Sequence, residues 1–154
     1  MNELPQPPVT ASPEAVGIMR EPLRPGHLVH RWRVAFGIGW FGVLLGFTAV
    51  AKTARTIGLS TWWLGASAEP RMVVVQVLPF IPGVLMVAGA ARNIRYLPYA
   101  GVGAAVVLGA IAAGDIGRFD RLCALQFVIA GAALAVSAAS FAGMARRERS
   151  VPTN

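Results

Sequence analysis

The stretch MVVVQVLPFIPGVLMVAGAA, residues 72–91, runs for twenty residues without a charged side chain. An α-helix rises about 1.5 Å per residue, so a helix of this length can cross the roughly 30 Å hydrocarbon core of a bilayer. Three similar stretches lie at about residues 34–51, 97–114 and 122–145. The sequence therefore predicts an all-α, polytopic membrane protein with four transmembrane helices in a bundle.

The composition agrees with this class. Hydrophobic residues make up 55% of the chain and charged residues 14%, whereas soluble domains contain about 25% charged residues. Residues 1–33 are rich in proline and basic residues, and we expect a disordered tail there. Residues 34–145 form the predicted transmembrane domain, and residues 146–154 form a second tail.

The cations flank the apolar stretches, which favours membrane topology over nucleic-acid binding as the reason for the net charge of +7. Cytoplasmic loops of membrane proteins carry an excess of Lys and Arg. We therefore predict that both termini lie in the cytoplasm. On that side lie Arg20, Arg24, Arg31, Arg33, Arg92, Arg95, Arg146, Arg147 and Arg149, against Lys52, Arg55, Arg71, Arg118 and Arg121 on the other.

Two prolines distinguish the second apolar stretch. Pro79 and Pro82 each remove a backbone donor and crowd the carbonyl one turn earlier, so a kink is expected. Interrupted helices line the binding sites of many transporters, and prolines are also common in membrane helices that only pack. A packing kink and a hinge or solute-binding role both fit this pattern.

Small residues recur at helical spacing and predict close packing between helices. Gly42 and Gly46 form a GxxxG motif in the first stretch. The third stretch has a row of small residues at four-residue spacing. Packing within one bundle and contact with a partner or a second copy are both possible for it. The row consists of Gly101, Ala105, Gly109 and Ala113.

Two glutamines interrupt the apolar stretches at similar depth. Gln76 and Gln126 each lie about five residues into their stretches, or roughly 7 Å from the same membrane face under the predicted topology. They are a candidate polar pair or the floor of a shallow pocket. Separate bonds to backbone carbonyls are the alternative.

The first loop contains Trp62 and Trp63, which we interpret as an interfacial anchor because tryptophan is enriched at membrane boundaries. The single cysteine, Cys123, excludes an intrachain disulfide. It is interpreted as a small apolar residue at a helix start, with an intermolecular disulfide as the alternative.

The stretches contain no Asp, Glu, Lys, Arg or His, although proton relays and coupled transporters depend on such residues. We find no catalytic set, no phosphate-binding loop and no cluster of metal ligands. The sequence therefore predicts no enzyme activity, no cofactor and no metal site.

The segments TWWLG, LPFIPG and RNIRYLPYAG together resemble small four-span membrane proteins of bacteria, a group without assigned activity. The resemblance covers about residues 31–145 and implies a bacterial plasma membrane, in keeping with thirteen arginines against one lysine. We expect a structural or accessory subunit that contacts the lipid bilayer and packs against a larger membrane protein or itself. The alternative is a small transporter or permease component with a solute site near the second stretch. No nucleic-acid partner is expected.

Overall fold

The computed structural model describes residues 25–65 and 72–144, and every regular element among them is helical. The predicted all-helical class is thus confirmed for this part of the chain, whose only β feature is an isolated bridge between Leu28 and Met144. Residues 1–24, 66–71 and 145–154 lie outside the described ranges. The α-helices are α1 His30–Thr56, α2 Val73–Val77, α3 Ile81–Ala91, α4 Leu97–Ala113 and α5 Asp120–Ala139.

Three helical segments are long and apolar enough to cross a membrane: His30–Thr56, Val73–Ala91 and Asp120–Gly143. The fourth apolar helix, α4, is shorter, with 17 residues. Many large side chains on the outside are apolar, and Ile38, Val106 and Val128 are each more than 60% exposed. Helices that are apolar on all sides are typical of a lipid environment.

The four long segments run alternately up and down. α1 contacts α3 and α5, and α4 contacts the same two helices from the other side. The starts of α1 and α4 lie at one end, with the ends of α3 and of the segment after α5. We call this the arginine end, and the opposite end, which carries the turn between α4 and α5, the aspartate end.

One face of α1 fills the centre of the molecule with aromatic rings. Phe36, Trp40 and Phe47 follow at helical spacing and are each 0% exposed. The indole nitrogen of Trp40 donates to Ser137 Oγ of α5 at 3.3 Å, and Ser137 Oγ donates to the backbone carbonyl of Ala133 at 2.8 Å. The core polar groups of these two residues are therefore paired within the protein.

The second apolar segment, Val73–Ala91, is interrupted at its prolines. A 3-10 turn, Leu78–Phe80, separates α2 from α3, and Pro79 and Pro82 each lie at the start of a helical segment. Proline fits at such positions because the backbone donor it lacks would have no helical partner there. Both prolines are buried, so the interruption is enclosed by neighbouring residues.

The small residues of α4 do not form one contact surface. Gly101 and Ala105 are buried, Gly109 is half-buried and Ala113 is exposed. Four residues turn an α-helix by about 400°, so each step of four rotates the row by about 40°. The row therefore leaves the contacts within the chain after two members, and contact with a partner or a second copy stays a prediction for Gly109 and Ala113.

Only one of the two glycines in the GxxxG motif of α1 lies close to another helix. A Cβ on Gly46 would lie 3.1 Å from Ile129 of α5, whereas a Cβ on Gly42 would meet nothing within 4 Å. The second close approach comes from Gly39, where a Cβ would lie 2.7 Å from Val136. Gly39 and Gly46 are seven residues apart, which returns the row to the same helix face after two turns.

The predicted disordered tail ends earlier than residue 33. α1 begins at His30, and the Val29 amide before it donates to the Gly143 carbonyl at 3.1 Å. Leu28 is 5% exposed and belongs to the core. Residues 25–33 are therefore folded because burial of Leu28 and the bridge to Met144 hold the chain across the arginine end.

Candidate functional site

The segment after α1 turns back toward the helices at the aspartate end. Gly58 takes a positive φ of 71°, and the Leu59 amide donates to the Ala54 carbonyl at 2.8 Å. This is a common way for a helix to end, since glycine adopts the left-handed conformation without a steric penalty. Thr61, only 1% exposed, then starts a turn in which the Gly65 amide donates to the Thr61 carbonyl at 3.0 Å.

This turn places Trp63 inside the protein. Its side chain is 0% exposed, and its ring packs edge-on against Phe80, with 6.1 Å between ring centroids. Its indole nitrogen has no hydrogen-bond partner among the described residues. The predicted anchor at the membrane boundary is therefore wrong for Trp63, because the fold of the loop turns its apolar ring area into the core.

Trp62 joins the same loop to the end of α4. Its backbone amide donates to Asp115 Oδ1, and its indole nitrogen donates to the Ile111 carbonyl, both at 2.8 Å. The indole lies directly on Gly114, where a Cβ would overlap the ring. Trp62 is thus half-buried and bonded within the protein, which also differs from the predicted interfacial anchor.

Asp115 is the centre of this cluster. It is 1% exposed, although it lies in the turn between two helices. Its Oδ2 accepts a hydrogen bond from Gln126 Nε2 at 2.8 Å, while its Oδ1 accepts the Trp62 amide. A buried carboxylate is stable only when such donors replace its water shell. The carboxylate therefore binds the first loop to both α4 and α5.

Gln126 is 0% exposed and takes Asp115 as its partner. Its side-chain carbonyl oxygen has no hydrogen-bond partner among the described residues. The predicted direct bond between Gln76 and Gln126 is therefore not found there. The physical reason is that a carboxylate is a stronger acceptor than a neutral amide.

Gln76 has a charged partner of its own. Arg55, near the end of α1, donates from Nη2 to Gln76 Oε1 at 2.8 Å. This contact ties the last turn of α1 to α2, just before the 3-10 turn at Pro79. The two glutamines thus help to hold the same end of the molecule but through separate contacts.

Cys123 lies in the first turn of α5, where it is 7% exposed and donates from Sγ to the Ala112 carbonyl at 3.5 Å. Burial favours its interpretation as a small apolar residue over an intermolecular disulfide. Among the described residues, no three His, Cys, Asp or Glu side chains form a group that could hold a metal ion.

Sequence reasoning missed the role of Asp115 and Thr61. One signal for Asp115 was available, since it follows an apolar helix directly and lies eleven residues before Gln126. A short turn between antiparallel helices brings such positions together at the same depth. No comparable sequence signal predicts the contacts of Trp62 with the end of α4, because these contacts form only when the first loop folds back onto the helices.

No protein-family model, curated protein or solved structure matches the chain. The site must therefore be interpreted from its own geometry. The Asp115 carboxylate accepts bonds from the Trp62 amide and from Gln126, and the Trp62 indole donates to the Ile111 carbonyl. The cluster therefore joins the first loop to α4 and α5.

Proposed function

We propose that this chain is a four-span protein of a bacterial plasma membrane, with both termini in the cytoplasm, that acts as a structural or accessory subunit. It packs against a larger membrane protein or against a second copy. The observation that carries this proposal is the filled interior. Phe36, Trp40, Phe47 and Trp63, all 0% exposed, occupy the space between the helices.

Because the interior is filled, a partner would bind at the outer surfaces of the helices. Cβ atoms on Gly42, Gly103, Gly109 and Gly131 would each meet nothing within 4 Å. In lipid, helices associate through close backbone approach at small residues. Exposed glycines on α1, α4 and α5 therefore permit a partner helix to approach closely.

The proposed fourth span is α4. Its 17 residues cover about 26 Å, which is slightly less than the average hydrocarbon thickness. Local thinning of the bilayer accommodates such a difference at a modest cost. The contacts of α4 with α3 and α5 support its insertion as a hairpin partner of α5.

The test is purification from native membranes in a mild detergent, followed by mass spectrometry of proteins recovered at fixed ratio. We expect a larger membrane protein or a homo-oligomer. Gly109→Leu adds bulk on the rim of α4 and should release the partner while the isolated chain stays folded. Val107→Leu, at a 48% exposed position of the same helix, is the matched control.

A small transporter is the second candidate, favoured by the interrupted second span and by the contact between Arg55 and Gln76 beside it. For a transporter, Gln76→Ala should abolish solute-dependent stabilisation of the purified chain, and Gly109→Leu should have little effect. Gln126→Ala is unsuitable for this comparison because it removes a bond to buried Asp115. Recovery of a monomer that a solute stabilises would overturn the accessory role.

A further inference from the structure

The two ends of the molecule differ in charge. Within residues 25–65 and 72–144, the only acidic residues are Asp115 and Asp120, and both lie at the aspartate end. The described part of the arginine end holds four arginines and no acidic residue. These are Arg31, Arg33, Arg92 and Arg95.

The fold joins these arginines from two distant parts of the sequence. The Tyr96 amide donates to the Gly26 carbonyl at 2.9 Å, so the turn between α3 and α4 is bonded to the segment before α1. A Cβ on Gly26 would lie 3.0 Å from Arg95 Nε. Arg95 therefore lies across the segment that leads into α1 and Arg31.

The position of the Arg95 side chain is fixed by Tyr96. The guanidinium carbon lies 4.6 Å from the centre of the Tyr96 ring, and Nη2 donates to the tyrosine oxygen at 2.8 Å. Tyr96 itself has a positive φ of 58°. A guanidinium carries five N–H donors, and the bond to tyrosine uses one of them.

Three partly exposed aromatic side chains lie at this end of the molecule. Trp32, Tyr96 and Tyr99 are 37%, 47% and 59% exposed. Tyr99 also packs edge-on against Phe141, with 4.7 Å between ring centroids. Partly exposed tryptophan and tyrosine mark the level of lipid headgroups, so the neighbouring arginines lie at the level of lipid phosphates.

We propose that the arginine end binds the headgroup of an anionic phospholipid, with Arg92, Arg95 and Arg31 as the phosphate ligands. Arginine offers paired donors that match a phosphate. A lipid is favoured over a soluble anion because the arginines and the partly exposed aromatic rings share one level of the molecule. This proposal rests on membrane insertion and is independent of the accessory role.

The experiment uses the purified full chain in a neutral detergent. Phosphatidylglycerol or phosphatidylcholine is added at equal concentration, and lipid retained on the protein is measured by native mass spectrometry. We expect clear preference for phosphatidylglycerol. The double variant R92Q/R95Q should weaken binding of this lipid by about 30-fold, as expected for the removal of two cations near the surface.

The matched control is R118Q/R121Q, which removes two exposed arginines at the aspartate end and gives the same net charge. It should retain the preference. Equal loss in both double variants would show that net charge alone attracts the lipid and would overturn the site. Absence of any preference in the unmodified chain would do the same.

The experiment also includes a single variant and a control with inorganic phosphate. The single variant R92Q changes an exposed residue that has none of the contacts with Tyr96, so it can be measured even if R92Q/R95Q fails to fold. We expect R92Q to bind phosphatidylglycerol measurably more weakly than the unmodified chain. Unchanged binding would overturn the proposal. Inorganic phosphate should not raise the unfolding temperature to the extent that phosphatidylglycerol does. If phosphate alone reproduces the effect, the site binds free phosphate and the lipid proposal is wrong.

Discussion

At the scale of single residues, Asp115 shows how a loop carboxylate becomes part of a core. It is 1% exposed, and its two oxygens accept separate bonds from the Trp62 amide and from Gln126. Each donor comes from a different segment of the chain. An unpaired buried polar group costs about 1 to 3 kcal/mol. Loss of the Asp115 carboxylate would therefore leave both the Trp62 amide and the Gln126 side chain without a partner.

Asp115→Ala should lower the free energy of unfolding by about 1 to 3 kcal/mol, because it leaves the Trp62 and Gln126 donors without their acceptor. Titration with sodium dodecyl sulfate from mixed micelles, followed by circular dichroism, measures this change. Asp120→Ala, at an exposed position in the first turn of α5, is the control and should cost at most about 1 kcal/mol, the interaction of a carboxylate with a helix N-terminus. Equal losses of unfolding free energy in the two variants would contradict the assigned role of Asp115 in joining the first loop to α4 and α5.

Cys123 gives a second prediction at this scale. Because it is 7% exposed and bonded to the Ala112 carbonyl, it should not react with a maleimide in the folded protein. It should react after unfolding in sodium dodecyl sulfate. Thr53→Cys in a Cys123→Ala background, at an exposed position of α1, should react in both states. A disulfide-linked dimer of the unmodified chain would argue against this burial.

At the scale of helices, spacing alone does not say which glycines face a neighbour. The row from Gly101 to Ala113 turns by about 120° over its length, and its members pass from buried to exposed. The motif of Gly42 and Gly46 predicted a contact for both, yet only Gly46 faces α5. The closer approach to α5 is at Gly39, because Val136 lies directly opposite it across the interface.

Gly39 and Gly42 form a matched pair for a test of helix packing. In Gly39→Ala the new methyl group would lie 2.7 Å from Val136. Valine is stiff at χ1, so we expect a loss of about 1 to 3 kcal/mol from overpacking. Gly42→Ala should be neutral or slightly stabilising, since alanine favours a helix over glycine. The same detergent titration measures both, and a similar loss at Gly42 would refute the assigned interface.

At the scale of the whole molecule, the described charges are distributed unevenly. The arginine end carries four arginines alone, and the aspartate end carries four cations together with Asp115 and Asp120. An excess of cations favours the cytoplasmic side. The described cations are equal in number at the two ends, so the proposed orientation, with the arginine end in the cytoplasm, rests on the nine-to-five excess of Lys and Arg over the whole sequence.

The orientation predicts which positions a membrane-impermeant maleimide reaches in intact spheroplasts. In a Cys123→Ala background, Arg118→Cys should be labelled from outside, and Arg92→Cys only after the membrane is opened. Both positions are exposed, so access to the reagent decides the result. The opposite labelling pattern would reverse the orientation. Labelling of both positions from outside would contradict the four-span arrangement.

The sequence by itself determined the helices. The predicted stretch at residues 72–91 is the segment Val73–Ala91, and the one at 97–114 is Leu97–Ala113, because a run of apolar residues without charges is a local property. The tertiary structure decided the contacts of Trp63, Asp115 and Gln126. Which side chains meet depends on helix rotation and on the fold-back of the first loop, and these are set by packing between segments that are distant in the sequence.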